Sequence, residues 1–194
     1  MSIVEQVREL RERTGCGVID CRTALAEAGN DLERAIELLR AKGIIKVAKK
    51  AGRSVTEGII ASYVHTNSKI GVLVSLKCET DFVARTPQFQ SLARDLALHI
   101  AAVDPAVVAP EDVPNDLLDR ERKVAEAQAA RGKKPAAIQA KIVAGKLANF
   151  RAEHALLTQP FVRDPKRTVG DRIAEAIQEL GEKITVSQFC RLSL

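Results

Sequence analysis

Residues 70–85 read IGVLVSLKCETDFVAR, and the stretch changes character halfway along. From Ile70 to Cys78, apolar residues alternate mostly with small or polar ones, which predicts a β-strand with one buried face. A polar corner at residues 79–81 follows and leads directly to Phe82. This stretch therefore predicts a strand that ends in a turn carrying one large aromatic side chain.

Phe82 has two interpretations. Aromatic residues make up only 3% of the chain and Trp is absent, so a ring at the tip of a strand-to-helix turn is a candidate anchor for a partner. A Phe just ahead of a helix also packs back onto that helix in many proteins, as a hydrophobic staple or as part of the core. The sequence alone leaves both interpretations open.

The segments on either side of this stretch extend the fold. Residues 59–64 alternate in the same way, and the turn Thr66-Asn67-Ser68 joins them to the strand at 70–78, which predicts a β-hairpin. After the aromatic turn, Thr86 and Pro87 provide an N-cap and a first-turn proline for a helix with an apolar stripe. That stripe contains Phe89, Leu92, Ala93, Leu96 and Ile100.

The following region is mainly helical. A charged segment from Leu117 to Arg131 and an apolar-periodic segment from Ile138 to Phe150 predict a helical hairpin, with residues 132–135 as its turn. Further along, Thr168 and Gly181 mark the start and the end of another helix.

The segment from Ile184 to Leu192 predicts a last strand, which completes a three-stranded antiparallel sheet. Its alternation places Ile184, Val186, Cys190 and Leu192 on one apolar face. An uncovered sheet face or edge is a liability that pairing with a second copy removes, so this face is a candidate dimer contact. Near a two-fold axis, two Cys190 thiols would come within disulfide range, and a simply buried Cys190 thiol is the alternative.

The N-terminal part of the chain predicts a head of three short helices, because apolar residues recur at helical spacing three times. Gly15 and Gly17 permit a tight turn between the first two helices. Asn30 and Glu33 form a capping-box pattern for the third helix, and Gly43 stands where a left-handed terminal residue is expected.

Two apolar residues of the second helix differ in position. Val18 shares the face of Cys21 and Leu25, whereas Ile19 lies about 100° around the helix. Ile19 is therefore a candidate contact with another molecule, and a lone surface aliphatic residue is the alternative.

These patterns predict an α+β protein in three parts: a head at residues 1–45, a basic linker at residues 46–55 and a body at residues 56–194. The basic residues of the linker are Lys46, Lys49, Lys50 and Arg53. They indicate either nucleic-acid binding or a solvated linker or helix extension, and the lack of interleaved aromatic residues favours the second interpretation.

Composition narrows the class of protein. The 194 residues are 46% hydrophobic and carry a net charge of +5, but acidic and basic residues are interspersed, so the surface does not focus one sign of charge. Residues 1–6 already include a charged side chain, unlike the apolar run of a signal peptide. No stretch approaches the roughly 18 consecutive apolar residues of a membrane span. We therefore expect a cytoplasmic protein without membrane contact.

The chain offers little for catalysis. It has no Gly-rich phosphate loop, no nucleophile elbow and no Cys/His grouping at metal spacing, so we expect no enzyme activity, cofactor or metal site. The first three cysteines are expected to be buried, and His99 is expected to be a packed or capping residue. Glu79 and Asp81 could share a face as an acid/base pair, but no neighbouring group sets their pKa values apart.

Two longer motifs carry a resemblance to a known family. Residues 10–25, LRERTGCGVIDCRTAL, and residues 76–85, LKCETDFVAR, resemble the two signatures of the translation elongation factor Ts family. The likeness continues through Lys49-Lys50-Ala51, Gln159-Pro160-Phe161-Val162 and the last strand. It departs from the family pattern at Arg22-Thr23, Ser75 and Lys77, which affects only local details.

The resemblance implies a function and a set of contact residues. Such a protein is a guanine nucleotide exchange factor for elongation factor Tu, with a ubiquitin-associated-like three-helix head. Thr80, Asp81, Phe82 and Val83 would lie against the GTPase near its bound magnesium, and the head would touch it through residues that include Val18 and Ile19. This short form would work as a homodimer without requiring nucleic acid. An RNA-binding module of the translation apparatus is the alternative function.

Overall fold

A computed structural model describes residues 2–131 and 135–194 of the chain. The fold is α+β, as predicted, and combines helices with a three-stranded antiparallel sheet, in which Ile70–Cys78 is the central strand between Glu57–Val64 and Thr185–Ser193. The helices are α1 (Ile3–Thr14), α2 (Val18–Glu27), α3 (Leu32–Ala41), α4 (Ile44–Lys50), α5 (Asp81–Ala84), α6 (Pro87–Val103), α7 (Asn115–Arg131), α8 (Ala136–His154) and α9 (Val169–Leu180). The strands are β1 (Glu57–Val64), β2 (Ile70–Cys78), β3 (Pro160–Phe161), β4 (Asp164–Thr168) and β5 (Thr185–Ser193).

The chain divides into two compact units that do not follow the order of the sequence. The first unit contains Met1–Gly58, Lys77–Phe89 and Ile173–Thr185. The second unit contains Ile59–Leu76, Gln90–Arg172 and Val186–Leu194. The head therefore shares its unit with the turn that carries Phe82. The division into residues 1–45, 46–55 and 56–194 stays a prediction.

The core of the head forms where the three apolar stripes of the sequence meet. Its buried side chains include Leu10, Cys16, Cys21, Leu25 and Leu39. Gly15 ends α1 with a φ of +72°, which is the left-handed conformation that glycine adopts at little cost. The predicted three-helix head is confirmed by this packing.

The predicted cap of the third helix is wrong by one residue. Asp31, not Asn30, is the N-cap of α3, and its carboxylate accepts a hydrogen bond from the backbone N–H of Arg34 at 3.0 Å. Asn30 instead has a φ of +66°, a conformation that Asn tolerates better than most residues. Gly43 does adopt the expected left-handed conformation.

The basic segment after the head begins as a helix. α4 spans Ile44–Lys50, so the first half of the predicted linker continues as a helix. The side chains of Lys46 and Lys49 lie outside the described part of the chain. Lys50 reaches the carbonyl oxygen of Ile177 at 3.2 Å.

The second unit is built on the sheet and α6. Val72, Val74 and Leu76 of β2 are buried, and so is the α6 stripe that includes Leu92 and Leu96. The predicted cap of α6 is confirmed, because the backbone N–H of Phe89 donates to Thr86 Oγ1 at 3.3 Å. The short antiparallel pair β3–β4 was not predicted.

Two further predictions concern the helices. α7 packs against α8, which confirms the helical hairpin, although residues 132–134 of its predicted turn lie outside the described residues. Thr168 caps α9 as predicted, since its Oγ1 accepts from the Asp171 N–H at 3.1 Å, and Gly181 follows the helix with a φ of +77°.

Across residues 2–131 and 135–194, every helix is too short or too polar to cross a lipid bilayer.

The last strand differs from its prediction in burial. Ile184 and Val186 are buried, whereas Cys190 and Leu192 are exposed. The alternative of a buried Cys190 thiol is therefore wrong. The other three cysteines, Cys16, Cys21 and Cys78, are buried as predicted.

Candidate functional site

The turn that carries Phe82 begins where β2 ends. Thr80 has extended backbone angles and caps α5, and its Oγ1 accepts a hydrogen bond from the Val83 N–H at 3.5 Å. A helix of four residues gains little stability by itself, because nucleation is costly and few intrahelical bonds form. The turn therefore depends on contacts with other parts of the chain.

Glu182, from the loop between α9 and β5, supplies the strongest of these contacts. One of its carboxylate oxygens accepts from the backbone N–H groups of Glu79 and Thr80, each at 3.0 Å. The other oxygen accepts from Thr80 Oγ1 at 2.6 Å. Hydrogen bonds to a carboxylate are stronger than those between neutral groups. Three of them converge on the two residues that precede α5.

A further hydrogen bond joins the same two segments, and here the carboxylate belongs to Glu79 and the backbone N–H to Lys183. The Glu79 carboxylate accepts from the backbone N–H of Lys183 at 2.6 Å and lies 3.3 Å from Arg53 Nη1. The Lys183 hydrogen bond, assisted by Arg53, lowers the pKa of Glu79. We call Glu79, Thr80, Glu182 and Lys183 the carboxylate clasp, because two carboxylates bind the backbone of the opposite segment.

The clasp also reaches the segment that follows α4. The Lys183 ammonium donates to the carbonyl oxygens of Ala51 at 2.5 Å and Arg53 at 2.9 Å. All of these residues belong to the first compact unit. The clasp thus joins the segment that follows α4 to the turn that carries Phe82.

The inner side of the turn is closed by small and apolar groups. Ala84 is buried, and Thr86 Oγ1 donates to the Val83 carbonyl oxygen at 2.8 Å. The Cys78 thiol donates to the Thr80 carbonyl oxygen at 3.1 Å. Burial raises the pKa of Cys78 to about 11, with a smaller contribution from Glu182. Cys78 is therefore a protonated packing residue near pH 7 and not a nucleophile.

Phe82 points away from this closed side. Its side chain is 80% exposed, so the interpretation as a core or staple residue is wrong. Asp81 in the first turn of α5 forms an ion pair at 2.8 Å with Arg85, the C-cap of the helix, and Val83 is half-buried. Thr80, Asp81, Phe82 and Val83 thus form one continuous turn with a single large apolar group at its tip.

The head carries a second apolar surface in the first turn of α2. Ile19 is 71% exposed, as its position on the helix predicts. Val18 is 50% exposed and lines a groove of about 520 Å³ with Val4, Val7 and Cys16, so it is not enclosed in the core although it precedes the buried Cys21 by one helical turn. Gly17 is the N-cap directly before Val18, so the first turn of α2 lies at the edge of the core.

The remaining predicted site residue, Cys190, lies in the second unit and is exposed.

The acid/base hypothesis for Glu79 and Asp81 gains no support from these contacts. A general acid at neutral pH needs a raised pKa, whereas the pKa of Glu79 is lowered by its hydrogen bonds. Asp81 is paired with Arg85. Both carboxylates have structural contacts that account for their presence.

His99 is a packing residue, as predicted. It is fully buried, and its two ring nitrogens lie 3.1 Å from Gln159 Oε1 and 3.2 Å from the Val162 N. Burial lowers the pKa of His99. The segment Gln159-Pro160-Phe161-Val162 is thus held against α6 through one histidine.

Sequence analysis missed Glu182, Lys183 and the role of Arg53. Glu182 and Thr80 are separated by 102 residues, and no periodic pattern indicates such a contact. The only local signal is the position of the charged pair Glu182-Lys183, directly after the glycine that ends α9 and before a buried Ile184. Charged residues at such a junction are usually explained by solvent exposure.

Comparison with known proteins identifies the family of the chain. The sequence model of a family described as elongation factor TS matches residues 31–194. A curated elongation factor Ts from Carboxydothermus hydrogenoformans is 50% identical over 190 residues, which cover 98% of this chain and 88% of that protein. The proteins of the same name from Fervidobacterium nodosum and Rubrobacter xylanophilus are 50% and 48% identical, and 98% of this chain aligns with 96% and 98% of theirs. The chain belongs to the elongation factor Ts family of translation elongation factors.

Proposed function

We propose that this protein is a guanine nucleotide exchange factor that promotes the release of GDP from elongation factor Tu. The observation that carries the proposal is the exposed ring of Phe82 on a turn that is fixed from behind by the carboxylate clasp. Large aromatic side chains are frequent anchors of protein interfaces. Because the turn is already ordered, little conformational entropy is lost when the ring enters a partner.

The physical mechanism is preferential binding to one state of the partner. A GTPase holds GDP through a magnesium ion and through backbone N–H groups around the phosphates, so a small shift of these elements weakens several interactions together. Phe82 does not need to touch the nucleotide. It needs only to bind the nucleotide-free conformation more tightly than the nucleotide-bound one.

The neighbours of Phe82 have supporting roles in this proposal. Thr80, Asp81 and Val83 lie against the partner near its magnesium ion, and the ring is inserted between elements of the partner. Val18 and Ile19 form the contact of the head, where both side chains are at least half exposed. The chain makes and breaks no covalent bond, so its role is that of a binding protein and not of an enzyme. It requires no cofactor or nucleic acid and acts in the cytoplasm.

We further propose that two copies form a homodimer through the outer face of the three-stranded sheet. Ile60, Leu73 and Cys190 come from three different strands and line one surface cavity of about 260 Å³. Ile60 is 73% exposed and Leu192 is 72% exposed. An apolar face of this kind is a liability in water, and a second copy would cover it. Cys190 would then lie near the two-fold axis.

The proposed exchange function is tested by the rate of GDP release. Elongation factor Tu loaded with a fluorescent GDP analogue is mixed with excess GDP, with or without this protein. We expect a large acceleration by the unaltered protein and a loss of most of that acceleration for Phe82→Ala. A protein that leaves the release rate unchanged contradicts the proposal.

The salt dependence of partner binding separates this function from the RNA-binding alternative. An apolar wedge gives a shallow change in affinity with salt, whereas contacts with phosphates give a steep one. Tight, strongly salt-dependent binding to a structured RNA, without acceleration of GDP release, would favour the alternative.

A further inference from the structure

The ring of Phe82 is 80% exposed, so contacts of the ring itself contribute little to its outward orientation. The four residues of α5 are too few to hold a helix in water, and the cap bond between the Val83 N–H and Thr80 Oγ1 is long, at 3.5 Å. Besides the buried Ala84 and the bond from Thr86 to Val83, the turn is held by the residues before it. Those residues are Glu79 and Thr80, and both are bound by Glu182.

Glu182 satisfies three donors that the end of β2 leaves available. Beyond Cys78 the strand has ended, so the N–H groups of Glu79 and Thr80 are bound by a side chain instead of by a neighbouring strand. The same carboxylate fixes the rotamer of Thr80 through its hydroxyl group at 2.6 Å. Thr80 Oγ1 in turn receives the Val83 N–H. A continuous chain of hydrogen bonds thus runs from Glu182 through Thr80 to the residue that follows Phe82.

We propose that Glu182 is a positioning residue for nucleotide exchange, which holds the turn at residues 79–83 in the conformation that presents Phe82 to the partner. This inference rests on the proposed exchange function and adds a residue that contacts no partner. Glu182 lies in the loop after α9 and acts only through Thr80 and the backbone. Preorganisation of the ring lowers the entropic cost of inserting it.

The direct test removes the carboxylate and compares the result with a matched control. Glu182→Ala deletes all three hydrogen bonds, whereas Glu179→Ala makes the same change at an exposed position at the end of α9. We expect Glu182→Ala to slow the stimulated release of fluorescent GDP from elongation factor Tu by about tenfold or more, since charge-assisted bonds are lost. Glu179→Ala should leave the rate within about twofold, as is usual for an exposed position.

Two readouts distinguish positioning from a general loss of stability. Hydrogen exchange followed by NMR should show faster exchange of the Glu79 and Thr80 amides in Glu182→Ala and unchanged exchange in the control. Glu182→Gln should restore much of the rate, because the amide oxygen can accept both backbone bonds and its NH2 group can donate to Thr80 Oγ1. If Glu182→Ala melts far below the control, Thr80→Val replaces it, because that variant keeps the two backbone bonds to Glu182 and removes only the two bonds of the hydroxyl group, one to Glu182 and one from the Val83 N–H.

A double-mutant cycle decides whether Glu182 acts through Phe82. In a Phe82→Ala background, Glu182→Ala should slow exchange by less than about twofold more, since the group that it positions is absent. An equal loss in both backgrounds overturns the inference. A normal rate of GDP release in Glu182→Ala, together with fast hydrogen exchange of the Glu79 and Thr80 amides, overturns it as well. If the unaltered protein does not accelerate GDP release, the exchange function and the positioning role both fail. If it does and the cycle is additive, only the positioning role fails.

Discussion

His99 Nε2 lies 3.1 Å from the side-chain oxygen of Gln159, and the Val162 N–H donates to His99 Nδ1 at 3.2 Å. These two contacts assign the proton of the neutral ring to Nε2. A second proton on Nδ1 would break the bond with Val162 and would place a charge in a fully buried site. The pKa of His99 is accordingly lowered, chiefly by burial.

This geometry predicts a pH dependence of stability. The pKa of an unfolded histidine is about 6.5 and that of His99 in the folded protein is lower, so the unfolded state binds more protons as the pH falls. The contribution of His99 is fully present above about pH 6.5 and is lost as the pH falls toward its folded pKa, with a slope of at most about 1.4 kcal/mol per pH unit.

Urea unfolding between pH 5 and pH 8 checks this prediction. His99→Gln should make the free energy of unfolding less dependent on pH below about pH 6.5. His65→Gln, at an exposed position, is the control and should not change this dependence. An unaltered slope in His99→Gln would show that other groups dominate.

A second prediction concerns Phe82 itself. Because the ring is exposed, Phe82→Ala should change the free energy of unfolding by less than about 0.5 kcal/mol, and it should weaken partner binding by about 2 kcal/mol or more. Phe89→Ala is the control, since this ring is fully buried and its removal should cost about 3–5 kcal/mol of stability. Thermal unfolding and GDP release are measured on the same samples. A large loss of stability in Phe82→Ala would reject the wedge.

The proposed dimer gives a third prediction. Sedimentation in reductant should yield twice the chain mass of 21.1 kDa. Leu73→Lys places a charge on the outer face of the sheet and should produce a folded monomer, because burying an unpaired charge in the interface is costly. Val124→Lys, on α7 and of similar exposure, should remain dimeric. An unaltered protein that sediments as a monomer at micromolar concentration would refute the interface.

Cys190 provides a separate test of where the two-fold axis lies. It is the exposed cysteine of the chain, and Cys16, Cys21 and Cys78 are buried. Mild oxidation should therefore produce a covalent dimer on non-reducing gels, and Cys190→Ser should not form it. In the reducing cytoplasm proposed for this protein, the bond would be a probe of distance and not a permanent link. A dimer that resists cross-linking would refute the position of Cys190 alone.

Local patterns predicted much of the fold because their causes are local. The alternation in β2, the Thr86 cap of α6, the Thr168 cap of α9 and the stripes of the head depend on neighbours within a few residues. The error at Asn30 and Asp31 has the same origin, since both residue types can cap a helix or adopt a left-handed conformation. The two-residue strand β3 was too short to show any period.

The site itself was only half predictable. The sequence indicated Phe82 and Ile19, but exposure separates an anchor from a core residue, and exposure is set by distant packing. The Glu182 contacts with Glu79 and Thr80 span more than 100 residues, and a charged residue after a helix has many ordinary explanations. A preorganised turn could therefore be found only from the folded arrangement.

The most direct test of the account uses thermodynamic reciprocity. If this protein releases GDP by stabilising the empty GTPase, GDP must weaken its binding to elongation factor Tu by the same factor by which it weakens the binding of GDP. GDP is therefore titrated into the preformed complex of the two proteins, and the fraction still bound is followed by sedimentation. We predict that GDP dissociates the complex in a saturable manner. An affinity between the two proteins that stays constant up to saturating GDP would contradict the mechanism.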